Sequence, residues 1–362
     1  MIVDGHLDLA VNVVVDGRDY TMSATRIRAS ERRAVEQATV SLPDLIHGDV
    51  GLVFATLFAE PDGAGYSDQG YSTPQEAERQ ALDQLDLYRR WDVEGRVRII
   101  HSVADLETHL RAWPDDPTVG IVILMEGADP IVRVGDLDAW WERGVRIVGP
   151  AWGRTRYSGG SGAPGGLTPE GRELVTAMRE RGMVLDASHL SDEAFWDALD
   201  IGVHAVIASH SNARTLVAGD RQLSDEMIRA IGDRDGVVGL VLYNAFLDAR
   251  WRDDHAVSVT FDAQLRAHAH HIAGLIGWDG VGIGSDLDGG LGLEETPQEL
   301  DTVADLVRVG QIVPRSARPG VLADNWLRLL RRALPGPSAK RPVTEANRPA
   351  NGGARGGRHG YS

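Results

Sequence analysis

The sequence contains no cysteine among its 362 residues. This absence excludes disulfides, a thiolate nucleophile and cysteine-ligated zinc, so any metal site has to be built from His, Asp and Glu side chains. A cysteine-free chain agrees with a reducing compartment, and we predict a cytoplasmic location.

Long apolar segments and a basic charge balance are also lacking. The longest apolar run, "VGIVILM" at 119–125, is too short to span a bilayer. No basic and apolar leader precedes Asp4, so we expect no targeting segment. The chain has 53 Asp and Glu against 37 Lys and Arg, a net charge of −16. This balance disfavours nucleic acids and membrane surfaces as partners.

Eight short apolar runs alternate with helical patterns along most of the chain. The runs are "MIVDGHLD", "GLVFATLFA", "VGIVILMEGAD", "GVRIVGPAW", "GMVLDASH", "HAVIASHS", "GVVGLVLYN" and "GVGIGSD". Most are nearly uninterrupted, which is typical of strands covered on both faces. Helices are predicted at 168–181, with Thr168 as N-cap, and at 191–199. This alternation predicts an α/β protein with a (β/α)8 TIM-like barrel, formed as a single domain over residues 1–334.

The last 28 residues, 335–362, have a different composition. They are rich in Pro, Gly and Ala, contain almost no core-forming residues and are basic. We predict that they form a disordered extension of the catalytic domain.

Side chains of the kind that bind metals stand at the ends of five of the eight runs. In a barrel of this type the active site lies at the C-terminal ends of the strands. The residues are His6 and Asp8 in the first run, Glu126 in the third, His189 in the fifth, His210 in the sixth and Asp286 in the eighth. Three histidines and two carboxylates, besides Asp286, are enough to bind two metal ions with one carboxylate bridging them.

Each of these signals is weak when taken alone. An HxD pattern occurs by chance in a chain with 12 histidines, and Glu126 or Asp286 would also suit a capping role. The cluster of His268, His270 and His271 has the spacing of a helix, which favours a structural role. The joint order of ligand-type residues along five strand ends is what favours a metal site.

Five stretches resemble the renal (membrane) dipeptidases, a family of binuclear zinc peptidases. They are "DGHLDLA", "MEGAD", "GGLTPEGRELVTAMRERGMVLDASHLS", "ASHSNAR" and "VGIGSDLDGG", which occur in family order over roughly residues 1–330. The resemblance implies a barrel of the metal-dependent hydrolase type that binds two Zn2+ ions per chain.

The resemblance also implies a role for each matching residue. His6 and Asp8 would bind one zinc, His189 and His210 the other, and Glu126 would bridge them. Asp286 would be the catalytic acid and base, acting with a hydroxide that bridges the metals. Arg221 would bind the substrate, because its planar fork suits a carboxylate. Asp288 is expected to orient either the loop or a ligand histidine.

One position departs from the classical family pattern. Where classical members have a histidine after the fourth strand, this chain has Trp152, which can donate one N–H but carries no charge. Trp152 is therefore a predicted substrate-binding residue that puts classical dipeptidase turnover in question. Arg154, Arg156 and Tyr157 are candidates for the missing donor, with the two arginines favoured.

Three functions remain open from the sequence. The first is a zinc dipeptidase that hydrolyses free dipeptides, including L,D-dipeptides. The second is a metal-dependent hydrolase of another small amide or ester, and the third is a metal-binding homologue without turnover. The presence of Asp286 beside a full ligand set disfavours the third, because a scaffold has no need of an acid and base. The expected partner is a small dipeptide substrate, and a homodimer is left open.

Overall fold

The fold was taken from a computed structural model, which describes residues 1–31, 35–63 and 70–336. Eight parallel strands form a nearly closed barrel, and three further strands lie outside that ring. The strands are β1 (Ile2–Leu7), β2 (Val50–Phe58), β3 (Val97–Ile99), β4 (Val119–Glu126), β5 (Val145–Gly149), β6 (Ser158–Gly160), β7 (Ala163–Leu167), β8 (Val184–Asp186), β9 (Val206–Ile207), β10 (Val238–Leu240) and β11 (Val281–Ile283).

The barrel strands follow one another in chain order. The hydrogen-bonded order is β10, β11, β1, β2, β4, β5, β8 and β9, and every neighbouring pair is parallel. A parallel bridge between Ala208 and Val238 joins the ends of this path. All eight strands coincide with the eight apolar runs of the sequence, so the predicted (β/α)8 fold is confirmed.

Helices surround the strands and connect them. They are α1 (Leu9–Val14), α2 (Ala24–Glu31), α3 (Leu42–His47), α4 (Pro74–Val93), α5 (Val103–Ala112), α6 (Leu137–Arg143), α7 (Pro169–Arg181), α8 (Asp192–Asp200), α9 (Asp225–Gly232), α10 (Asn244–Leu247), α11 (Arg266–Ile276) and α12 (Asn325–Ala333). Short 3-10 helices span Val134–Asp136, Ala249–Arg252, Trp278–Gly280, Leu293–Glu295 and Val303–Gln311, and π-helical turns span Phe261–Leu265 and Gly320–Asp324. The helices predicted at 168–181 and 191–199 are present as α7 and α8, and Thr168 caps α7 by accepting from the amide of Gly171.

Alternate residues of the strands build two separate layers. In β2, Leu52 and Phe54 belong to the cluster that fills the barrel, whereas Val53 and Ala55 belong to the layer between strands and helices. This alternation arises because successive side chains of a strand point to opposite faces. It explains why the runs contain few polar residues before their C-terminal ends: both of their faces are buried.

The lower end of the barrel is closed by Trp326 of α12. Its indole nitrogen donates to the carbonyl of Ile283 at 2.8 Å, and its ring packs edge-on against Phe54. A Cβ atom on Gly5 or Gly282 would lie within 2.6 Å of the indole, so both strands need glycine at this height.

Three strands are not among the predicted runs. β3 and β5 pair with the same edge of β4. β3 pairs with the first residues of β4, and β5 pairs with its later residues. β6 and β7 form an antiparallel hairpin inside the long connection between β5 and β8. The hairpin matters below because its turn reaches the candidate site.

The predicted disordered extension lies outside the described residues, apart from Pro335 and Gly336. The carbonyl of Pro335 accepts a hydrogen bond from the amide of Val103. Within the described part of the chain, the helices lack the combination of length and apolar character that crossing a membrane requires.

Candidate metal centre

The six predicted site residues converge at the C-terminal end of the barrel. Each lies within or just after a barrel strand: His6 in β1, Asp8 at the start of α1, Glu126 at the end of β4, His189 after β8, His210 after β9 and Asp286 after β11. They form three overlapping groups whose ligand atoms lie within 4.8 Å of one another. The structure therefore brings together residues that are up to 280 positions apart in sequence.

Glu126 lies at the centre of the cluster. Its Oε1 is 3.0 Å from Nε2 of His189 and 3.5 Å from Nε2 of His210, and its Oε2 is 3.5 Å from Nε2 of His6. One oxygen therefore faces the His189 and His210 side, and the other faces the His6 side. This is the geometry that a bridging carboxylate requires.

Asp8 and Asp286 complete the His6 side of the cluster. Nε2 of His6 is 3.8 Å from an oxygen of each carboxylate. Asp8 lies beyond the end of β1, and it accepts a hydrogen bond from the hydroxyl of Thr56 rather than capping α1. Asp286 has a left-handed backbone, with φ of 61°. The next glycine in the loop, Gly289, passes so close that a Cβ there would meet the Asp286 carboxylate.

Hydroxyl groups bind the Nδ1 atoms of all three histidines. Ser209 lies 3.1 Å from Nδ1 of His6 and 2.8 Å from Nδ1 of His210, and Ser161 in the hairpin turn lies 3.0 Å from Nδ1 of His189. Sequence reasoning missed both serines, because the repeated "ASH" at the ends of β8 and β9 contains Ser188 and Ser209 and does not show which serine binds a histidine ring. With Nδ1 engaged, every Nε2 atom is directed into the cluster.

Burial and charge shift the pKa values of the cluster in opposite directions. Burial alone would lower the pKa of His6, but the carboxylates of Glu126, Asp8 and Asp286 outweigh it and raise that pKa to about 10. Burial raises the pKa of Asp8 to about 7 and the pKa of Asp286 well above its usual value. Burial also lowers the pKa of His189 to about 4, with the Arg221 charge adding to the effect. Burial would raise the pKa of Glu126 as well, but the neighbouring His6 and His189 hold it well below its usual range.

The cluster opens into a cavity of about 460 Å3. The two predicted substrate-binding residues, Arg221 and Trp152, both line it. The guanidinium of Arg221 donates to the carbonyls of Ser188 and His210 at 2.8 Å each, and it lies 5.3 Å from the Phe246 ring centroid. These hydrogen bonds hold the positive charge of Arg221 at the edge of the cluster.

Trp152 forms an apolar part of the cavity wall. Its ring centroid lies 5.5 Å from that of Phe58 and 6.1 Å from that of His189. The wall therefore places an aromatic surface directly beside a predicted metal ligand.

The expectation that Arg154, Arg156 or Tyr157 supplies a donor to the site is wrong. Arg154 donates to the carbonyl of Pro164, and Arg156 donates to the carbonyls of Ile131 and Val132. The hydroxyl of Tyr157 also donates to Ile131. All three side chains are used to fix the loop, and none of them lines the cavity.

Asp288 orients the loop rather than a ligand histidine. Its carboxylate accepts hydrogen bonds from the hydroxyl of Tyr20 at 2.6 Å and from the amide and hydroxyl of Thr39, and it pairs with Arg18 at 3.3 Å. These contacts fasten the glycine-rich loop after β11 to the segment before α3.

The histidines of α11 have structural contacts, as expected. His268 is buried and accepts from the amide of Ala213, while His271 pairs with Asp225 at 2.8 Å. His270 contacts the carbonyl of Ile312. The helical prediction for this stretch is confirmed.

The barrel and its cluster of three histidines and three carboxylates define the class of metal-dependent hydrolases. Within that class, the model of the membrane dipeptidase family, peptidase family M19, matches residues 1–335. The chain belongs to this family and is by class a metallo-dipeptidase.

Individual relatives are similar to much of this chain. A protein encoded 5' of pqqA in Klebsiella pneumoniae is 34% identical over 252 residues, which cover 66% of this chain and 89% of that protein. Dipeptidase tcpJ of Claviceps purpurea is 27% identical over 297 residues, which cover 79% of this chain and 65% of that protein.

Solved structures share the fold. A metallo peptidase from Rhodobacter sphaeroides, liganded with a phosphinate mimic of the dipeptide L-Ala-D-Ala, superposes with a TM-score of 0.78 at 22% identity, covering 92% of this chain and 99% of that one. The dipeptidase AC superposes with a TM-score of 0.77 at 23% identity, covering 92% and 98%.

Proposed function

We propose that the protein is a binuclear zinc dipeptidase that hydrolyses free dipeptides, L,D-dipeptides included. The observation that carries the proposal is the central position of Glu126, with one oxygen toward His6 and the other toward His189 and His210. The family match and the dipeptide mimic bound by the Rhodobacter relative support the choice of substrate.

The residues fit a pair of metal ions. Nε2 of His6 is buried and has no hydrogen-bond partner among the described residues, which is costly unless a ligand binds there. Nε2 of His189 and Nε2 of His210 lie 3.0 Å apart, which suits two ligands of one ion. His6 and Asp8 would hold one zinc and His189 and His210 the other, with Glu126 available to both. Zinc ions held there would activate water and polarise a peptide carbonyl.

Asp286 is proposed as the group that moves the proton. It lines the cavity, and its Oδ1 is 3.8 Å from Nε2 of His6, so it would lie beside the ions without being needed to complete either ligand set. There its carboxylate is placed to take a proton from water and return it to the leaving amine.

Arg221 is proposed to attract the substrate carboxylate. Its guanidinium is held at the cavity edge by the backbone after β8 and β9, and its positive charge faces a space otherwise rich in carboxylates. A free dipeptide carries one carboxylate at a fixed distance from its peptide bond. A cation fixed near the metal cluster would therefore align that bond with the reacting groups.

The test combines a substrate panel with two matched carboxamide variants. We expect the zinc-loaded enzyme to hydrolyse L,L- and L,D-dipeptides, and Asp286→Asn to lower kcat by roughly 10²–10⁴-fold with two zinc ions retained. The control, Asp288→Asn, removes a carboxylate two residues away that binds Tyr20, Thr39 and Arg18 rather than a proposed metal ligand, so it should lower the melting temperature more than kcat. Hydrolysis of other amides without hydrolysis of any dipeptide would refute the proposed substrate.

A further inference from the structure

One buried serine lies between two of the proposed ligand histidines. Oγ of Ser209 is 3.1 Å from Nδ1 of His6, 2.8 Å from Nδ1 of His210 and 2.5 Å from Oδ2 of Asp186. It also lies 3.1 Å from Oγ of Ser188. Ser209 is fully buried and Asp186 almost so, which isolates this network from solvent.

The chemistry of the partners fixes the direction of each hydrogen bond. The Asp186 carboxylate can only accept, and its Oδ1 already receives the amide and hydroxyl of Ser188 and the amide of Ser209. Oδ2 therefore receives the Ser209 hydroxyl proton. Because the Ser188 proton is also directed to Asp186, both lone pairs of the Ser209 oxygen remain for the two histidine rings.

The number of lone pairs on the Ser209 oxygen also determines which nitrogen of each ring is protonated. A hydroxyl with one proton and two lone pairs can accept from two donors once its proton is given away. His6 and His210 must then both carry a proton on Nδ1. Their Nε2 atoms then face the cluster, where Glu126 lies 3.5 Å from each, and are the atoms available to a metal ion.

We propose that Ser209, held by Asp186, is a positioning residue that fixes the Nδ1–H tautomer of His6 and His210 together and so couples the two metal positions. This inference rests on the proposed function, because His6 belongs to one proposed zinc position and His210 to the other. His189 provides an internal contrast, since its Nδ1 is bound by Ser161 of the hairpin and lies outside the Ser209 network.

The principal test variant is Ser209→Ala, with Ser285→Ala as its control. Ser285 is also fully buried, and its hydroxyl donates to the Asp4 carboxylate rather than to a ring nitrogen of the cluster. Zinc stoichiometry and the Kd of each site would be measured by competition with a chromophoric chelator. Histidine protonation at Nδ1 would be read by 15N NMR of the zinc-loaded protein.

We expect Ser209→Ala to weaken zinc binding at both positions by about 10–100-fold, the usual effect of removing a group that orients a metal ligand. The Nδ1–H signals of His6 and His210 should be altered, while that of His189 persists. Ser285→Ala should lower the melting temperature but leave both Kd values near those of the wild type.

A second variant, Asp186→Asn, covers the case in which Ser209→Ala fails to fold. Oδ1 has three donors around it, so the new amide nitrogen would take the place of Oδ2 and donate to Ser209. The serine proton would then turn toward one ring and leave only one lone pair for the other. One zinc position should be weakened and the other retained.

The outcomes separate the inference from the function on which it rests. Two zinc sites in the wild type, with unchanged Kd values in Ser209→Ala, would overturn the coupling alone. A zinc-loaded wild type in which His6 or His210 carries no proton on Nδ1 would overturn it as well. Fewer than two sites in the wild type would overturn the proposed function and the coupling together.

Discussion

A single methyl group added to Gly284 should damage both the barrel and the metal centre. Gly284 follows β11, and a Cβ atom there would lie 1.7 Å from the carbonyl oxygen of Ser209 and 3.2 Å from Cα of His210. An ordinary contact would require the two segments to separate by roughly 1.5 Å or more. Because the obstacle is backbone, no side-chain rotation can relieve the overlap.

The expected cost follows from that geometry. Overpacking a core by a methylene costs about 1–3 kcal/mol, and a backbone obstacle places Gly284→Ala at or above the upper end of that range. The movement would also shift Ser209 and His210, so zinc affinity should fall together with stability.

The matched control is Gly274→Ala in α11. Gly274 is exposed, and a Cβ there meets nothing within 4 Å. Replacing an unconstrained helical glycine with alanine should stabilise the protein by about 0.5–1 kcal/mol. The same chemical change therefore has opposite predicted signs at two positions.

Scanning calorimetry with and without chelator, together with zinc analysis, would measure both effects. A Gly284→Ala protein that melts within a degree of the wild type and binds zinc normally would refute the close packing of β11 against the segment after β9. A loss of stability in Gly274→Ala would show that comparing the two glycine variants does not isolate the effect of steric overlap.

Three other predictions follow from the structure. Burial lowers the pKa of His268 to about 4. The unfolded chain therefore binds more protons between about pH 6.5 and 4, and the free energy of unfolding should fall by up to about 3 kcal/mol as the pH drops through that window. His268→Asn should remove this fall in the free energy of unfolding, which urea titration at each pH would measure. An unchanged dependence on pH would contradict the assignment of the effect to His268. Arg154→Ala should leave kcat/KM within about twofold because its guanidinium binds the carbonyl of Pro164. Trp152→Ala should instead raise KM for apolar dipeptides more than it lowers kcat. A large loss of kcat in Arg154→Ala would show that this residue is a catalytic donor. We propose that the catalytic domain ends by Gly336, since the carbonyl of Pro335 still binds the amide of Val103. Truncation after Gly336 should therefore leave the melting temperature and activity unchanged. A large loss of either would show that later residues contribute.

The sequence was sufficient to predict the barrel because its strands are buried on both faces. Continuous apolar runs mark such strands strongly, and all eight were found. Arg98 interrupts the apolar run of β3, and the β6–β7 hairpin lies in a glycine-rich stretch that resembles an ordinary loop. Interrupted or glycine-rich strands give too weak a signal to be separated from connections.

The histidines and carboxylates of the site could be predicted from the sequence, whereas its hydroxyl groups could not. His6, Glu126 and His210 stand at strand ends, where fold geometry determines that they meet. Ser209 and Thr56 belong to residue types that are common everywhere, so only their contacts reveal a role. The directions of Arg154 and Arg156 depend on the path of a loop, and sequence spacing carries no information about that path.

The closing of the barrel floor by Trp326 also has a consequence for biosynthesis. α12 is the last described helix, and it supplies several members of the cluster that fills the barrel: Trp326, Leu327, Leu329 and Leu330. A ribosome will have made every strand, and every proposed metal ligand, before this helix leaves the exit tunnel. Until then the apolar lower end of the barrel stays open to water, so the nascent chain has a long interval in which it can aggregate or bind chaperones. A premature stop codon shortly before Asn325 would make that interval permanent, although the encoded chain would keep its full set of proposed metal ligands.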